Sequence, residues 1–266
     1  MTRTRRPSVA GSFYPGNPNE LGGMLDAMLG EARERPGEDR GPAPKAVIVP
    51  HAGYIYSGPV AAHAFLRLGD ARDRIRRVVL LGPTHFVYVD GVAVTESDAW
   101  ATPLGTVPID REGRAAIQSL PQVTVSDAPH DREHSMEVQV PFLQKVLGEF
   151  ILLPIAVGDA APAEVAEVLD VVWGGDETAV VISTDLSHYH PYEEARRIDE
   201  ATASSIDSLS RTDIAPDQAC GCRPVNGFIQ LAAARGMTAT RLDLRNSGDT
   251  AGPRDGVVGY GAWAVS

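Results

Sequence analysis

Short apolar runs rich in valine, isoleucine and leucine recur along the chain and predict buried strands. They lie at 47–49, 77–81, 150–156, 178–183, 238–245 and 256–265. Helices are predicted between them, at 59–65, 135–147, 162–172 and 193–209. Gly53 and Gly58 are expected to turn the backbone ahead of the first of these helices. The alternation predicts a single α/β domain over residues 1–266, with a mostly parallel or mixed central sheet flanked by helices.

Polar residues follow three of these strands at the point where each strand ends. His51 comes directly after a proline stop, His85 follows a Gly-Pro stop, and Asp185 and His188 follow the strand at 178–183. The carboxyl ends of parallel strands meet at one edge of a sheet. We therefore expect these side chains to share one site. The alternative is that each is an isolated, solvated loop residue.

His51, His85 and Cys220 are candidate metal ligands. Imidazole and thiolate suit iron, copper or zinc, and three protein ligands leave a coordination position open for substrate. Cys222 lies two residues further on and competes for the thiolate role. The alternative is that the histidines bond to backbone groups and that Cys220 is a small buried residue in a tight turn.

Asp185 and His188 are candidates for acid–base work, since a neutral histidine near pH 7 passes a proton in either direction. Asp185 could instead bond to nearby N–H groups in a turn. His134 and Glu137 are three residues apart on one helical face. They either line the cleft, or Glu137 stabilises the first helical turn through the helix dipole. The other histidines are expected outside the site, His63 packed within a helix and His130 and His190 in solvent.

Composition and motif searches exclude several classes of function. The net charge of −11 over 266 residues argues against nucleic acid or an anionic membrane as a partner. No stretch approaches the ~20 apolar residues that a membrane span needs. Neither a Gly-x-Ser-x-Gly elbow nor a Gly-Lys-Ser/Thr phosphate loop occurs. The two cysteines are too close in sequence for an ordinary disulfide, so a reducing, cytoplasmic setting is expected.

Eight motifs spread over the chain point to a known family. They lie at 10–15 (AGSFYP), 50–58 (PHAGYIYSG), 81–85 (LGPTH), 133–143 (EHSMEVQVPFL), 183–188 (STDLSH), 220–224 (CGCRP), 246–249 (NSGD) and 257–260 (VVGY). With these motifs in this order, the chain resembles the Memo family, the B component of the AmmeMemoRadiSam set. The second thiol within 220–224 departs from the family pattern.

The resemblance implies a fold similar to that of class III extradiol ring-cleaving dioxygenases, which are non-haem iron enzymes. It also implies a metal cleft in which His51, His85 and Cys220 match the ligand positions, with Asp185 and His188 beside them. The implied cofactor is iron(II) or copper, with zinc as a further option, because a thiolate stands where the dioxygenases use a glutamate. Three further residues are expected to line the cleft: His134, Glu137 and Tyr54.

The function that this resemblance implies is a metal-dependent oxidoreductase, with a small-molecule substrate or a peptide in the metal cleft. One alternative is a non-enzymatic metal-binding module that recruits a partner or a peptide. Another is a zinc hydrolase that uses a metal-bound water. The partner proteins implied by the family name are an AMMECR-type protein and a radical-SAM protein.

Overall fold

The computed structural model describes residues 2–34, 42–209 and 213–266. Within these ranges the chain forms twelve strands and nine α-helices. The strands are β1 (Thr4–Arg5), β2 (Ala46–Val49), β3 (Arg77–Pro83), β4 (Val92–Val94), β5 (Ala99–Thr102), β6 (Gly105–Pro108), β7 (Val123–Val125), β8 (Ile151–Val157), β9 (Thr178–Ser183), β10 (His188–His190), β11 (Ala239–Asn246) and β12 (Val257–Val265). The helices are α1 (Pro18–Glu34), α2 (Tyr54–Gly69), α3 (Arg111–Ile117), α4 (Ala128–Asp131), α5 (His134–Glu137), α6 (Gln139–Leu147), α7 (Pro162–Val171), α8 (Tyr192–Asp207) and α9 (Cys222–Ala234).

A large mixed sheet forms the centre of the molecule. Its strands lie in the order β10-β12-β2-β9-β3-β8-β4-β7, and β11 pairs with the other side of β12. Strands β2, β9, β3 and β8 run parallel, whereas β12 and β4 are antiparallel to their inner neighbours. A smaller sheet joins β1, β5 and β6. The prediction of an α/β fold with a mixed central sheet and flanking helices is confirmed.

The central strands are buried on both faces, which explains their continuous apolar sequences. Along β2, Val47 and Val49 belong to the core beneath α1, α2 and α6, whereas Ala46 and Ile48 belong to the core beneath α7, α8 and α9. Successive side chains of a strand point to opposite faces, so one short run contributes to both cores. Among the described residues, no helix combines the length and the apolar character needed to cross a bilayer.

Two helix boundaries differ from the sequence prediction. Helix α2 begins at Tyr54, so Gly58 lies within it and does not turn the chain. A Cβ at Gly58 would lie 2.6 Å from Met28 Sδ, so the glycine allows α1 to pack closely on α2. The predicted helix at 135–147 is interrupted, because Pro141 cannot donate a backbone hydrogen bond to the preceding turn.

Candidate metal centre

Three parallel strands deliver polar side chains to one edge of the central sheet, as the sequence predicts. Val49 at the end of β2 is paired with Ser183 of β9, and β9 also pairs in parallel with β3. His51, Asp185 and His85 each stand two residues beyond the end of one of these strands. The site therefore lies where the carboxyl ends of parallel strands converge.

Three imidazoles meet at this edge: His51, His85 and His134. One ring nitrogen of each lies within 4.8 Å of those of the other two. The rings of His85 and His134 are stacked with centroids 4.7 Å apart, and the ring of His51 stands perpendicular to that of His134 at 5.4 Å. Two nitrogens bound to one tetrahedral zinc ion lie ~3.4 Å apart, so the rings would have to move closer together, by up to ~1.4 Å, to share an ion.

The hydrogen bonds around Ser183 fix the tautomer of His51. The Ser183 hydroxyl donates to the Ser135 carbonyl oxygen at 2.6 Å, and its oxygen accepts from Gln139 Nε2 at 2.9 Å. Because its single proton is used, Ser183 Oγ accepts from His51 Nδ1, which lies 2.9 Å away. His51 Nε2 therefore carries the lone pair, which is the atom a metal ion needs.

His85 is oriented by Glu133, a residue that sequence reasoning missed. His85 Nδ1 lies 2.8 Å from Glu133 Oε1, and the His85 backbone N–H donates to Glu133 Oε2 at 2.7 Å. Burial disfavours the Glu133 carboxylate, but these bonds and that from the Ser135 N–H outweigh it and lower its pKa to about 2. A carboxylate on Nδ1 is a common partner of a metal-binding histidine. The one sequence feature that could have indicated a role for Glu133 is its place directly before His134 in the motif at 133–143.

The Asp185 carboxyl group is buried against His51. Its Oδ1 accepts the His51 backbone N–H at 2.6 Å, and its Oδ2 lies 4.0 Å from His51 Nε2. Burial raises the pKa of Asp185 to about 7, although the backbone bond from His51 opposes this. Burial also lowers the pKa of His51 well below its usual value, and the charges of His85, His134 and His188 lower it further. His51 is therefore neutral at pH 7.

Cys220 touches the histidine cluster. Its Sγ lies 3.2 Å from His51 Nε2 and 3.7 Å from the Asp185 carbonyl oxygen, so the single thiol proton has these two acceptors. Burial raises the pKa of the Cys220 thiol well above its ordinary value, and the charge of Asp185 raises it further. Cys222 is buried at the start of α9. The metal-ligand role of Cys220 stays a prediction, and Cys220 is the cysteine in contact with His51.

His188 begins β10, at the same edge of the sheet. Burial lowers its pKa, and the nearby His85 lowers it further. A neutral imidazole there can accept a proton, as an acid–base residue must. The acid–base role of His188 and Asp185 stays a prediction.

Two residues expected to line the cleft lie elsewhere. Glu137 points away from the histidines: Arg5 Nη1 lies 2.7 Å from its Oε2, and Tyr14 Oη donates to its Oε1 at 2.8 Å. Tyr54 is buried in the core, and its hydroxyl donates to the Val138 carbonyl oxygen at 2.6 Å. The structure contradicts the expectation that Glu137 and Tyr54 line the cleft. Arg5 and Tyr14 hold the carboxylate of Glu137, and the Val138 carbonyl oxygen holds the hydroxyl of Tyr54.

The other histidines are placed as follows. His63 is packed within α2, as predicted, with Nε2 3.6 Å from Asp243 Oδ2. The prediction of a solvated His130 is wrong: it is buried against the ring of Trp100, and burial lowers its pKa to about 4. His190 is partly exposed, with Nδ1 3.5 Å from Glu194.

A cavity of about 500 Å³ adjoins the site and shares His85 and Cys220 with it. Phe86 and Tyr88 form part of its wall and are 55% and 77% exposed. Its volume lies within the range of small-molecule sites. The cavity therefore offers a place for a compound bound next to the histidines.

The comparison with known proteins agrees with the motifs. A family model described as "Memo-like protein" matches residues 5–264. The chain belongs to the Memo-like family. A MEMO1 family protein of Aquifex aeolicus is 38% identical over 271 residues, and one of Methanopyrus kandleri is 38% identical over 277 residues; each alignment covers 97% of both chains.

Comparison with solved structures gives the fold. The crystal structure of an uncharacterized protein from Escherichia coli K12 superposes with a TM-score of 0.54 at 15% sequence identity. The match covers 82% of this chain and 98% of the other. At that identity the likeness shows a shared fold alone. Membership of the Memo-like family rests on the family model and the relatives.

Proposed function

We propose that this member of the Memo-like family binds one metal ion, iron(II) or copper, through His51, His85 and His134. The supporting observation is the convergence of three ring nitrogens within 4.8 Å. Two of the rings are pre-oriented through Nδ1, by Ser183 and by Glu133. Imidazole nitrogens suit iron, copper and zinc, so the donors present fit such an ion once His85 has lost its proton; burial lowers the pKa of His85, but the Glu133 carboxylate outweighs it and raises that pKa.

Cys220 offers a fourth donor, and the set of His51, His85 and Cys220 competes with the set of three imidazoles. A cation at His51 Nε2 would displace the thiol proton and favour the thiolate, which softens the site towards copper(I) or zinc. Elemental analysis of protein purified without an affinity tag identifies the ion. Variants His134→Ala, Cys220→Ser and Cys222→Ser then separate the two sets.

The expected result is about one ion per chain in the wild-type protein and in Cys222→Ser, with loss of the ion in His51→Ala. Loss in His134→Ala with retention in Cys220→Ser would favour the three-imidazole set, and the reverse would favour the thiolate set. A wild-type protein that takes up no ion from iron(II), copper(I) or zinc under anaerobic conditions would overturn the proposal.

The reaction class that we propose is metal-dependent oxidation of a small substrate held in the adjoining cavity. His51, His85 and His134 would hold the ion, which would supply the redox chemistry with dioxygen as the oxidant. The residues of the chain supply the proton handling: burial keeps His188 neutral, and Asp185 has a pKa near neutrality, about 7. Both lie at the sheet edge that carries His51.

Oxygen uptake tests this reaction class. Protein loaded anaerobically with iron(II) or copper(I) should consume oxygen when a substrate is added, with catechols as the first probes. Uptake should disappear in His51→Ala and fall strongly in His188→Ala. Retention of full uptake in both variants would assign the oxygen consumption to free metal.

A zinc hydrolase is the second candidate, because three imidazoles with an open position are also a donor set of catalytic zinc. Hydrolysis of ester or phosphate probes by the zinc-loaded protein, lost in His51→Ala, would favour it.

A non-enzymatic binding module is the third candidate function, because Phe86, Tyr88 and Tyr189 expose large rings beside site residues. Retention of an AMMECR-type or radical-SAM protein by metal-free protein, without oxygen uptake, would favour that reading.

A further inference from the structure

The segment of residues 5–14, here called the N-terminal arm, contacts the stretch from His130 to Glu137, which includes the short helix α5 that carries His134. The Arg5 guanidinium is buried and makes three contacts there. Its Nε donates to the His130 carbonyl oxygen at 2.8 Å, and its Nη2 donates to the Glu133 carbonyl oxygen at 2.9 Å. Its Nη1 lies 2.7 Å from Glu137 Oε2. The planar guanidinium group of Arg5 therefore binds both the backbone before α5 and the Glu137 side chain at the end of that helix.

Glu137 ties the end of α5 to the same arm. Its carboxylate accepts the Ser8 N–H at 2.8 Å, the Val9 N–H at 2.9 Å and the Tyr14 hydroxyl at 2.8 Å. Burial opposes the charge, but Arg5 and these donors outweigh it and lower the pKa of Glu137. A buried carboxylate with this many donors holds its position firmly.

The arm also contacts the candidate ligand directly. The ring of Phe13 lies 4.9 Å from the ring of His134, which is itself stacked on His85. The Phe13 carbonyl oxygen accepts the backbone N–H of Tyr54 at 2.8 Å, so the arm is anchored to the start of α2. His134 is thus packed between a ring of the arm and the other histidines of the site.

We propose that Arg5 and Phe13 are positioning residues of the candidate metal centre. Helix α5 is a single turn, and such a short helix does not hold its own geometry. Arg5 fixes the backbone at Glu133, whose carboxylate orients His85, and Phe13 fixes the ring of His134. The inference rests on the proposed metal binding, and it adds that the site is completed by a segment more than 100 residues distant in sequence.

Cobalt(II) is the metal probe, because its visible absorption reports both occupancy and coordination. Arg5→Lys keeps one positive charge, but its donors sit on a single nitrogen and cannot reproduce the spread of the planar guanidinium over two carbonyl groups and a carboxylate. We expect it to weaken cobalt(II) binding by about 10- to 100-fold, the loss typical for residues that orient metal ligands. Its absorption band should also change shape, as the ligand geometry is altered.

Arg77→Lys is the matched control. Arg77 Nε lies 2.6 Å from the buried Asp110, and its Nη1 donates to the Val172 carbonyl oxygen at 3.0 Å, at the end of β3 remote from His85. This variant should change cobalt(II) affinity by less than about threefold. An equal loss in Arg77→Lys, or no loss in Arg5→Lys, would overturn the proposal.

A second readout needs no metal. In metal-free protein with labelled histidine, Phe13→Leu should weaken the nuclear Overhauser effects between the rings of His134 and His85, which are stacked at 4.7 Å, and leave the ring resonances of His63 unchanged. Unchanged Overhauser effects between these two rings would overturn the role of Phe13. This variant also carries the test if Arg5→Lys does not fold. Wild-type protein that takes up none of iron(II), copper(I), zinc or cobalt(II) would refute the proposed function, whereas the ring contacts of His134 would still decide the positioning.

Discussion

The carboxylate of Glu133 holds His85 at two points, the ring Nδ1 at 2.8 Å and the backbone N–H at 2.7 Å. Glu133 is also the residue directly before His134 and caps α5 through the Ser135 N–H. One buried side chain, only 1% exposed, therefore sets the geometry of two of the three imidazoles. It couples the strand end that carries His85 to a short helix from another part of the chain.

Glu133→Gln should weaken metal binding by about 10- to 100-fold. The amide keeps the size of the side chain, but its NH2 group would face either the His85 N–H or the ring and Ser135 donors. Titration with cobalt(II) measures the loss. Glu164→Gln is the control, because Glu164 caps α7 through the Ala161 N–H, away from the site. Equal affinity in wild type and Glu133→Gln would contradict the orienting role.

The part of the site built on the sheet could be predicted from sequence. Apolar runs identify the strands, and the parallel arrangement brings their ends together, so His51, His85 and Asp185 were expected as neighbours. These inferences need only local patterns and one topological rule. That rule does not reach Cys220, which the sequence offered either as a ligand or as a small residue in a tight turn; the structure places its Sγ 3.2 Å from His51 Nε2.

The part built on α5 could not be predicted, because contacts distant in sequence decide it. Arg5 is separated from its partners by 125 residues or more, and no local pattern reports that pairing. Arg5 pairs with Glu137 on the side away from the cleft, and it helps to bury the segment of His130, which was expected in solvent. Tyr54 was misplaced for a related reason, since its hydroxyl finds the Val138 carbonyl behind the helix.

Acid should weaken the contribution of Glu137 to stability. Its pKa is below the ordinary value of 4.5 in the folded protein, so its stabilising effect is complete above about pH 4.5 and is lost as the pH falls through the folded pKa. Glu137→Gln should lower the free energy of unfolding by about 3–5 kcal/mol at pH 7, because Arg5 is left buried and unpaired. Urea unfolding should show this difference shrinking below pH 4.5. A difference that grew with acid would contradict the assignment.

Gly221 between the two cysteines should not tolerate a side chain. A Cβ there would lie 2.6 Å from both the Ser183 carbonyl oxygen and Thr184 Cβ. Gly221→Ala should therefore destabilise the fold by about 1–3 kcal/mol, and it should move Cys220 away from His51. Thermal unfolding measures the loss of stability, and the thiolate-to-metal charge-transfer band of the copper(I) or cobalt(II) protein reports the position of Cys220. The control Gly23→Ala lies in α1, where a Cβ meets no atom within 4 Å, and it should be neutral or stabilising.

The chain contains only two lysines, and their surroundings predict that the loss of one side chain destabilises the fold much more than the loss of the other. Lys45 Nζ donates to the carbonyl oxygens of Trp173, Gly175 and Thr178 at 2.8, 2.7 and 2.8 Å, so the ammonium group closes the loop between α7 and β9. Lys145 Nζ instead pairs with the exposed Asp26 at 2.8 Å.

Burial lowers the pKa of Lys45 to about 8, so the group is still charged at pH 7, but desolvation offsets part of its hydrogen-bond energy. Lys45→Met should therefore lower the free energy of unfolding at pH 7 by about 1.5–3 kcal/mol, because the hydrogen bonds of a charged donor are lost. Lys145→Met should change it by no more than about 1 kcal/mol, as expected for an exposed pair. Urea unfolding of both variants at one pH makes the comparison directly, since each removes a single ammonium group. Equal destabilisation by the two substitutions would mean that the carbonyl contacts of Lys45 add nothing beyond the charge.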